Sequence, residues 1–203
     1  MAVAAGRASL SLNVVRVEWS EESLDFDWLV DGLALGGAGA VQAGAAERLA
    51  RDHAITHVVD VRAESRDDRQ ELARAGIRLL WLPTADQRAV TQLMIVSGVE
   101  WITRAFDQGG RVLVHCQHGM GRSALLALCV LVQHGIEPIT ALTLIKDARE
   151  IVWPSQEQLT AFVTFAGTIH RARGASWSIP SLDDLTPIAY RQLTAATAAA
   201  QQG

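Results

Sequence analysis

The sequence predicts an α/β fold, a central and mostly parallel sheet with helices on both faces. Three observations carry that reading. Short β-branched runs alternate along the chain with amphipathic helical stretches, the order that builds such sheets. The short β-branched run at 55–61 reads as a buried strand, of the kind a sheet covered on both sides contains. The run at 112–115 ends in a glycine-containing loop that opens directly into a strongly apolar helix. With 203 residues, 49% of them hydrophobic, the chain is long enough to bury a core without disulfides or structural metal.

Taken in order, residues 1–12 read as a loose arm. Residues 10–19 place apolar side chains mostly on alternate positions, which predicts a half-buried strand, and 28–35 predict a second strand broken by Gly36, Gly37 and Gly39. A helix follows over 41–51, the buried strand over 55–61, and a polar-faced helix over 67–75 closed by Gly76. Residues 77–82 read as a strand stopped by Pro83. An amphipathic helix spans 92–107 and ends at Gly109 and Gly110. The strand at 111–115 and the apolar helix at 122–133 come next. Pro138 suits the first turn of a helix running to about 150, and Ser155 caps a last one over 155–171. The domain therefore covers 13–173, leaving 174–203 as a C-terminal extension with a partly disordered end.

Composition removes several classes of function. A net charge of -4 lacks the basic excess that phosphate-backbone binding requires, so nucleic acid is not an expected partner. No apolar stretch reaches membrane-span length, and Arg7, Ser9 and Ser11 interrupt the start where a secretory signal needs an apolar run. Two cysteines, Cys116 and Cys129, cannot build a disulfide framework or a four-thiolate zinc site. These readings set the expectation of a cytoplasmic protein with no metal and no cofactor.

The chemistry is concentrated in VLVHCQHGMGRS, residues 112–123. A strand ends at His115, Cys116 opens the turn, Gly119 and Gly121 relax the loop, and Arg122 and Ser123 begin a helix. Such a loop turns successive N–H groups inward, and the helix directs its positive end to the same point, so an oxyanion is the expected guest. Arg122 adds a guanidinium that grips two oxygens at once. The same field favours thiolate over thiol at Cys116. Expected phosphate-binding residues are Gln117, His118, Gly119, Met120, Gly121 and Arg122.

HCQHGMGRS resembles the HC-x5-R-[ST] signature of the cysteine-dependent protein tyrosine phosphatase superfamily, and its surroundings resemble the dual-specificity (VH1-like) branch. WLVDGLALG (28–36), ITHVVDVR (55–62), GIRLLWLPTAD (76–86) and EIVWPSQEQLTAF (150–162) are similar to segments of that branch in the same order. The resemblance implies a phosphomonoester hydrolase acting through a phosphocysteine. Cys116 would be the nucleophile, Arg122 the phosphate clamp, Asp86 the general acid, and Ser123 a donor to the departing thiolate. His115 would position the Cys loop. The expected partner is a phosphorylated protein or a small phosphate ester.

Other residues carry weaker readings. Asp60 reads as a polar strand residue and a lesser candidate acid, and Asp107 as turn chemistry. Cys129 falls on an apolar helical face and reads as core. Arg88 and Arg149 read as solvated surface residues. No extra phosphotyrosine-recognition segment is present, so a shallow pocket admitting phosphoserine, phosphothreonine and phosphotyrosine is expected. The uncharged Gln117, His118 and Met120 speak against a polyphosphorylated lipid. Ser155 and Gly121 depart from the residues usual in the branch. Two other classes stay open, a phosphate-binding module without turnover and a rhodanese-like sulfur transferase.

Overall fold

The computed structural model describes residues 24–192; the strand expected at 10–19 and the arm at 1–12 lie outside them. Five strands form one sheet in the order β1-β2-β5-β3-β4. They are β1 (Phe26–Val30), β2 (Leu33–Gly36), β3 (His57–Arg62), β4 (Arg78–Thr84) and β5 (Val112–His115). β1 pairs antiparallel with β2, and all other pairs are parallel. The single strand expected at 28–35 is thus a hairpin, turned at Asp31-Gly32.

Alternation in the strands divides the core. Val58 and Leu113 face one side, where they pack with Ala46 and Leu49 of α1 (Ala46–His53) and Leu72 of α2 (Arg69–Arg74). Val59, Val61, Val112 and Val114 face the other side, against the larger cluster. That cluster is supplied by α3 (Gln92–Asp107), α4 (Arg122–Gln133), α5 (Pro138–Ala148) and α6 (Gln156–Arg173). The helices therefore lie on both faces, and α4 is buried from Arg122 to Val132. A helix without an exposed side has no polar stripe. Cys129 sits inside it, fully buried, and burial pushes its thiol well up from the ordinary range.

One expectation is corrected. Pro83 does not stop its strand, since β4 continues to Thr84. β4 is an edge strand, where a missing N–H can face away from the ladder. The described part of the extension, 174–192, packs onto the domain. It forms α7 (Leu182–Ala189), capped by Ser181 and Asp184, with Leu185 and Ala189 in the main cluster. Tyr190 then donates to the Pro154 carbonyl at 2.6 Å, and buried Lys146 donates to Gln192 at 2.6 Å and to the carbonyls of Glu150 and Val152. Residues 193–203 lie outside the described part. Among the described residues, no helix is long and apolar enough to cross a membrane.

Candidate active site

β5 is the middle strand, and its C-terminal end delivers Cys116 to the mouth of the sheet, where open α/β sheets bind ligands. The loop from Cys116 to Gly121 has its carbonyls drawn to the surrounding structure. The Gln117 carbonyl accepts from the Ala38 N–H at 3.0 Å. Those of His118 and Gly119 accept from Arg149 at 3.0 and 3.3 Å. The Met120 carbonyl accepts from the Trp153 N–H, and that of Gly121 from Leu125, each at 2.8 Å. With the carbonyls taken from outside, the N–H groups are free to converge on the sulfur side.

Two glycines serve this loop for different reasons. Gly119 has φ +69, and a Cβ there would lie 2.6 Å from the backbone of Gly36. Gly121 has φ -125; it is small because a Cβ would lie 2.5 Å from Oε1 of Gln158.

Cys116 is 3% exposed. Burial pushes its thiol up, but the Ser123 hydroxyl and the main-chain groups of Ser123, His118 and Gly119 outweigh this and hold it below the ordinary thiol range. The Ser123 hydroxyl donates to Sγ at 3.2 Å. Expected residues Cys116, Gln117, His118, Gly119, Met120, Gly121, Arg122 and Ser123 therefore form one cradle, with His115 directly beneath it. His118 and Gln117 are exposed.

Arg122 is 1% exposed, and three of its five N–H donors are hydrogen-bonded. Nη1 donates to Oε2 of Glu64 at 2.7 Å and to the Thr84 carbonyl at 2.9 Å; Nη2 donates to Oε1 of Glu64 at 2.8 Å and meets Oδ1 of Asp86 at 2.9 Å. Nε is buried with no hydrogen-bond partner. A buried, unpaired charged donor is costly unless something arrives to accept from it. The bidentate grip of Arg122 holds the Glu64 carboxyl at about 2, well below its usual 4.5. Asp86 is thus at the site, and its loop is pinned by the start of α6. Ser155 donates to the Gln87 carbonyl at 3.1 Å, Gln158 to that of Arg88 at 3.0 Å, and Glu157 accepts from the Ala89 N–H at 3.1 Å. Arg88 is exposed and paired with Glu157, as a surface residue.

Arg149 is not the solvated residue expected. It is buried, paired with Asp25 at 2.6 Å and Asp27 at 2.8 Å, and carries two cradle carbonyls. Asp60 is fully buried against Arg62 and has no access to the cradle opening as an acid. Glu64, Arg149 and Gln158 were missed as site residues. Glu64 lies two residues after a strand and Arg149 directly after a helix, and neither position carries a spacing signal of its own. Gln158 was legible only as the third residue of a capping box begun by Ser155.

Comparison with known proteins gives a consistent result. A family model described as the dual specificity phosphatase catalytic domain matches residues 39–166. The chain is 34% identical over 102 residues to dual specificity protein phosphatase 26 of Bos taurus, and 33% identical over the same length to that of Homo sapiens. Each match covers 48% of this chain and 48% of the relative, so the chain spans about half the length of the curated relatives it matches. Among solved structures, PTPMT1 in complex with PI(5)P aligns with a TM-score of 0.67 and 25% identity, over 74% of this chain and 99% of that one. A mouse putative dual specificity phosphatase complexed with zinc tungstate aligns with a TM-score of 0.67 and 25% identity, over 77% of this chain and 96% of that one.

Proposed function

Because the chain belongs to the family of dual specificity phosphatase catalytic domains, we propose that it hydrolyses phosphomonoesters through a covalent phosphocysteine, with phosphorylated protein side chains as substrates. The observation that carries this reading is the unpartnered, buried Nε of Arg122, beside a cradle in which main-chain groups of His118, Gly119 and Ser123 act on the Cys116 sulfur. That Nε is a charged donor that lacks an acceptor, in the place an oxyanion would fill. The mouse neighbour solved with zinc tungstate, an oxyanion, supports the same assignment.

The steps follow from the positions. The Cys116 thiolate attacks phosphorus as the ester P–O bond breaks, and Asp86 gives its proton to the leaving oxygen. The loop N–H groups and Arg122 hold the equatorial oxygens while charge redistributes. Water, deprotonated by Asp86, then attacks phosphorus; the S–P bond breaks, Ser123 donates to the thiolate, and inorganic phosphate leaves. Positive charge comes from Arg122 and main-chain dipoles, so the chemistry requires no metal. A reduced thiol is required, which fits a reducing compartment such as the cytoplasm.

The neighbour solved with PI(5)P supports a second reading, a phosphorylated inositol lipid as substrate. The lack of a lysine among Gln117, His118 and Met120 favours the protein substrate. Turnover of a phosphopeptide and aryl phosphate panel in the presence of a chelator tests the proposal, with loss in Cys116→Ser expected. Preference for the inositol lipid would move the reading to the second substrate, and full activity in Cys116→Ser would end both.

A further inference from the structure

The segment between α5 and α6, residues 149–154, holds the carbonyl side of the cradle. Arg149 donates to the carbonyls of His118 and Gly119, and the Trp153 N–H donates to that of Met120. Ser155, next along, holds the loop of Asp86 through the Gln87 carbonyl. Residues 149–154 form neither helix nor strand, so their own carbonyls need partners from elsewhere.

The C-terminal end of the described chain supplies them. Tyr190 donates its hydroxyl to the Pro154 carbonyl at 2.6 Å, and its ring lies against that of Trp153 with centroids 4.9 Å apart. The side-chain amide of Gln192 donates to the Glu150 carbonyl and accepts from Nζ of Lys146 at 2.6 Å. Lys146 is fully buried and gives its other N–H groups to the Glu150 and Val152 carbonyls, each at 2.8 Å. An ammonium has three donors, so Gln192 takes the last of them. Without that acceptor a buried charged donor would be left unpaired, which is costly. Arg191 adds an ion pair with Asp147 at 2.6 Å and a bond to the Lys146 carbonyl at 2.8 Å. All of these C-terminal residues lie past 166, where the match to the family model ends.

We infer that Tyr190 and Gln192 are positioning residues for the active site: from the C-terminal end they latch residues 149–154, and through Trp153 and Arg149 they fix the carbonyl side of the cradle. The inference rests on the proposed role of the cradle. Its main-chain groups serve the sulfur and an oxyanion only while the carbonyls of the same loop are held away. Drift of 150–154 would take the Trp153 N–H from the Met120 carbonyl and free that peptide to turn. A misplacement of about 1 Å caused far from the chemistry can cost on the order of 10²-fold in rate. Arg149 keeps its anchors Asp25 and Asp27 when the latch is lost, so the expected loss is smaller.

The test compares the full chain with Tyr190→Phe, Gln192→Leu and the two together, by turnover of an aryl phosphate and by hydrogen exchange of the 112–123 peptide. Leu49→Ala, which loosens the smaller core cluster on the opposite face of the sheet, is the control for stability alone. At a temperature where all are folded, the double variant should lower kcat roughly tenfold and speed exchange at 117–122, while Leu49→Ala leaves both as in wild type. Gln192→Glu keeps an acceptor for Lys146 and should retain more activity than Gln192→Leu. If the double variant does not fold, Tyr190→Phe alone should show both effects at smaller size. Wild-type kcat and exchange in the folded variants, or the same losses in Leu49→Ala, overturn the inference. Faster exchange of the cradle in variants of a protein that hydrolyses no phosphate ester would instead sink the proposed function and leave the latch standing.

Discussion

Asp86 is ion-paired with Arg122, its Oδ1 2.9 Å from Nη2, a nitrogen that an incoming phosphate needs. Nε of Arg122 is open, but a two-point grip requires Nη2 as well. In the proposed mechanism, substrate entry lifts Asp86 off the guanidinium, and the released carboxyl then serves the leaving oxygen. On that reading, clamp and acid are coupled through one guanidinium nitrogen.

Asp86→Asn should lower turnover of alkyl phosphates on the order of 10²-fold, with a much smaller loss on activated aryl esters. Asp86→Ala should also bind tungstate roughly threefold more tightly, because the exposed ion pair it removes is worth only a fraction of a kcal/mol to about 1 kcal/mol. Stopped-flow kinetics and calorimetry read the two effects. Equal losses on both ester classes would remove Asp86 as the acid.

Glu64 orients Arg122 from the opposite side and was not anticipated. Glu64→Gln should lower kcat/KM by about tenfold, since a neutral amide cannot return the bidentate pairing. The acid stability profile follows from the depressed carboxyl, whose side chain is 41% exposed. Its stabilisation is present above the usual 4.5 and is lost as pH falls toward about 2. After solvent screening that amounts to about 1 kcal/mol. Wild type should thus lose more stability than Glu64→Gln between those values in chemical denaturation; parallel profiles would contradict the pairing.

Ser123→Ala removes the hydroxyl that donates to Sγ at 3.2 Å. The thiol should titrate higher, so that alkylation at acid pH slows. The second step should slow more than the first, because the departing thiolate loses its donor. A burst of aryl alcohol followed by a slow steady state is the expected trace, and a single slow phase would count against the assigned role.

The two loop glycines should respond differently. Gly119→Ala forces a Cβ onto backbone at a positive φ and should cost about 1–3 kcal/mol and most activity. Gly121→Ala meets the end of a flexible Gln158 side chain, and should cost less stability while disturbing the link to the Asp86 loop. Thermal melts with activity on the same samples check both.

The strand, cradle and helix around Cys116 were legible because their residues are contiguous and each step has a local signature. Helix α3 was legible for the same reason, with apolar residues at helical spacing and Gly109 and Gly110 just past its end. What holds the cradle open was not legible. Its carbonyls are tied by Ala38, Arg149 and Trp153, which meet only in the folded chain. Arg149 follows a helix with nothing to mark it as buried, since the partners that offset its charge, Asp25 and Asp27, lie more than a hundred residues earlier. The hairpin within 28–35 was hidden because Val30 and Leu33 are both apolar and buried across the turn. Pro83 misled because the edge position that tolerates it depends on sheet order.

The most direct measurement is acid quench of Asp86→Asn after rapid mixing with a phosphorylated aryl substrate, followed by peptide mass spectrometry. The account predicts a phosphoryl group on Cys116, formed at the rate of the burst and absent in Cys116→Ser. Phosphate released at the same rate with Cys116 unmodified, or turnover surviving in Cys116→Ser, would contradict it.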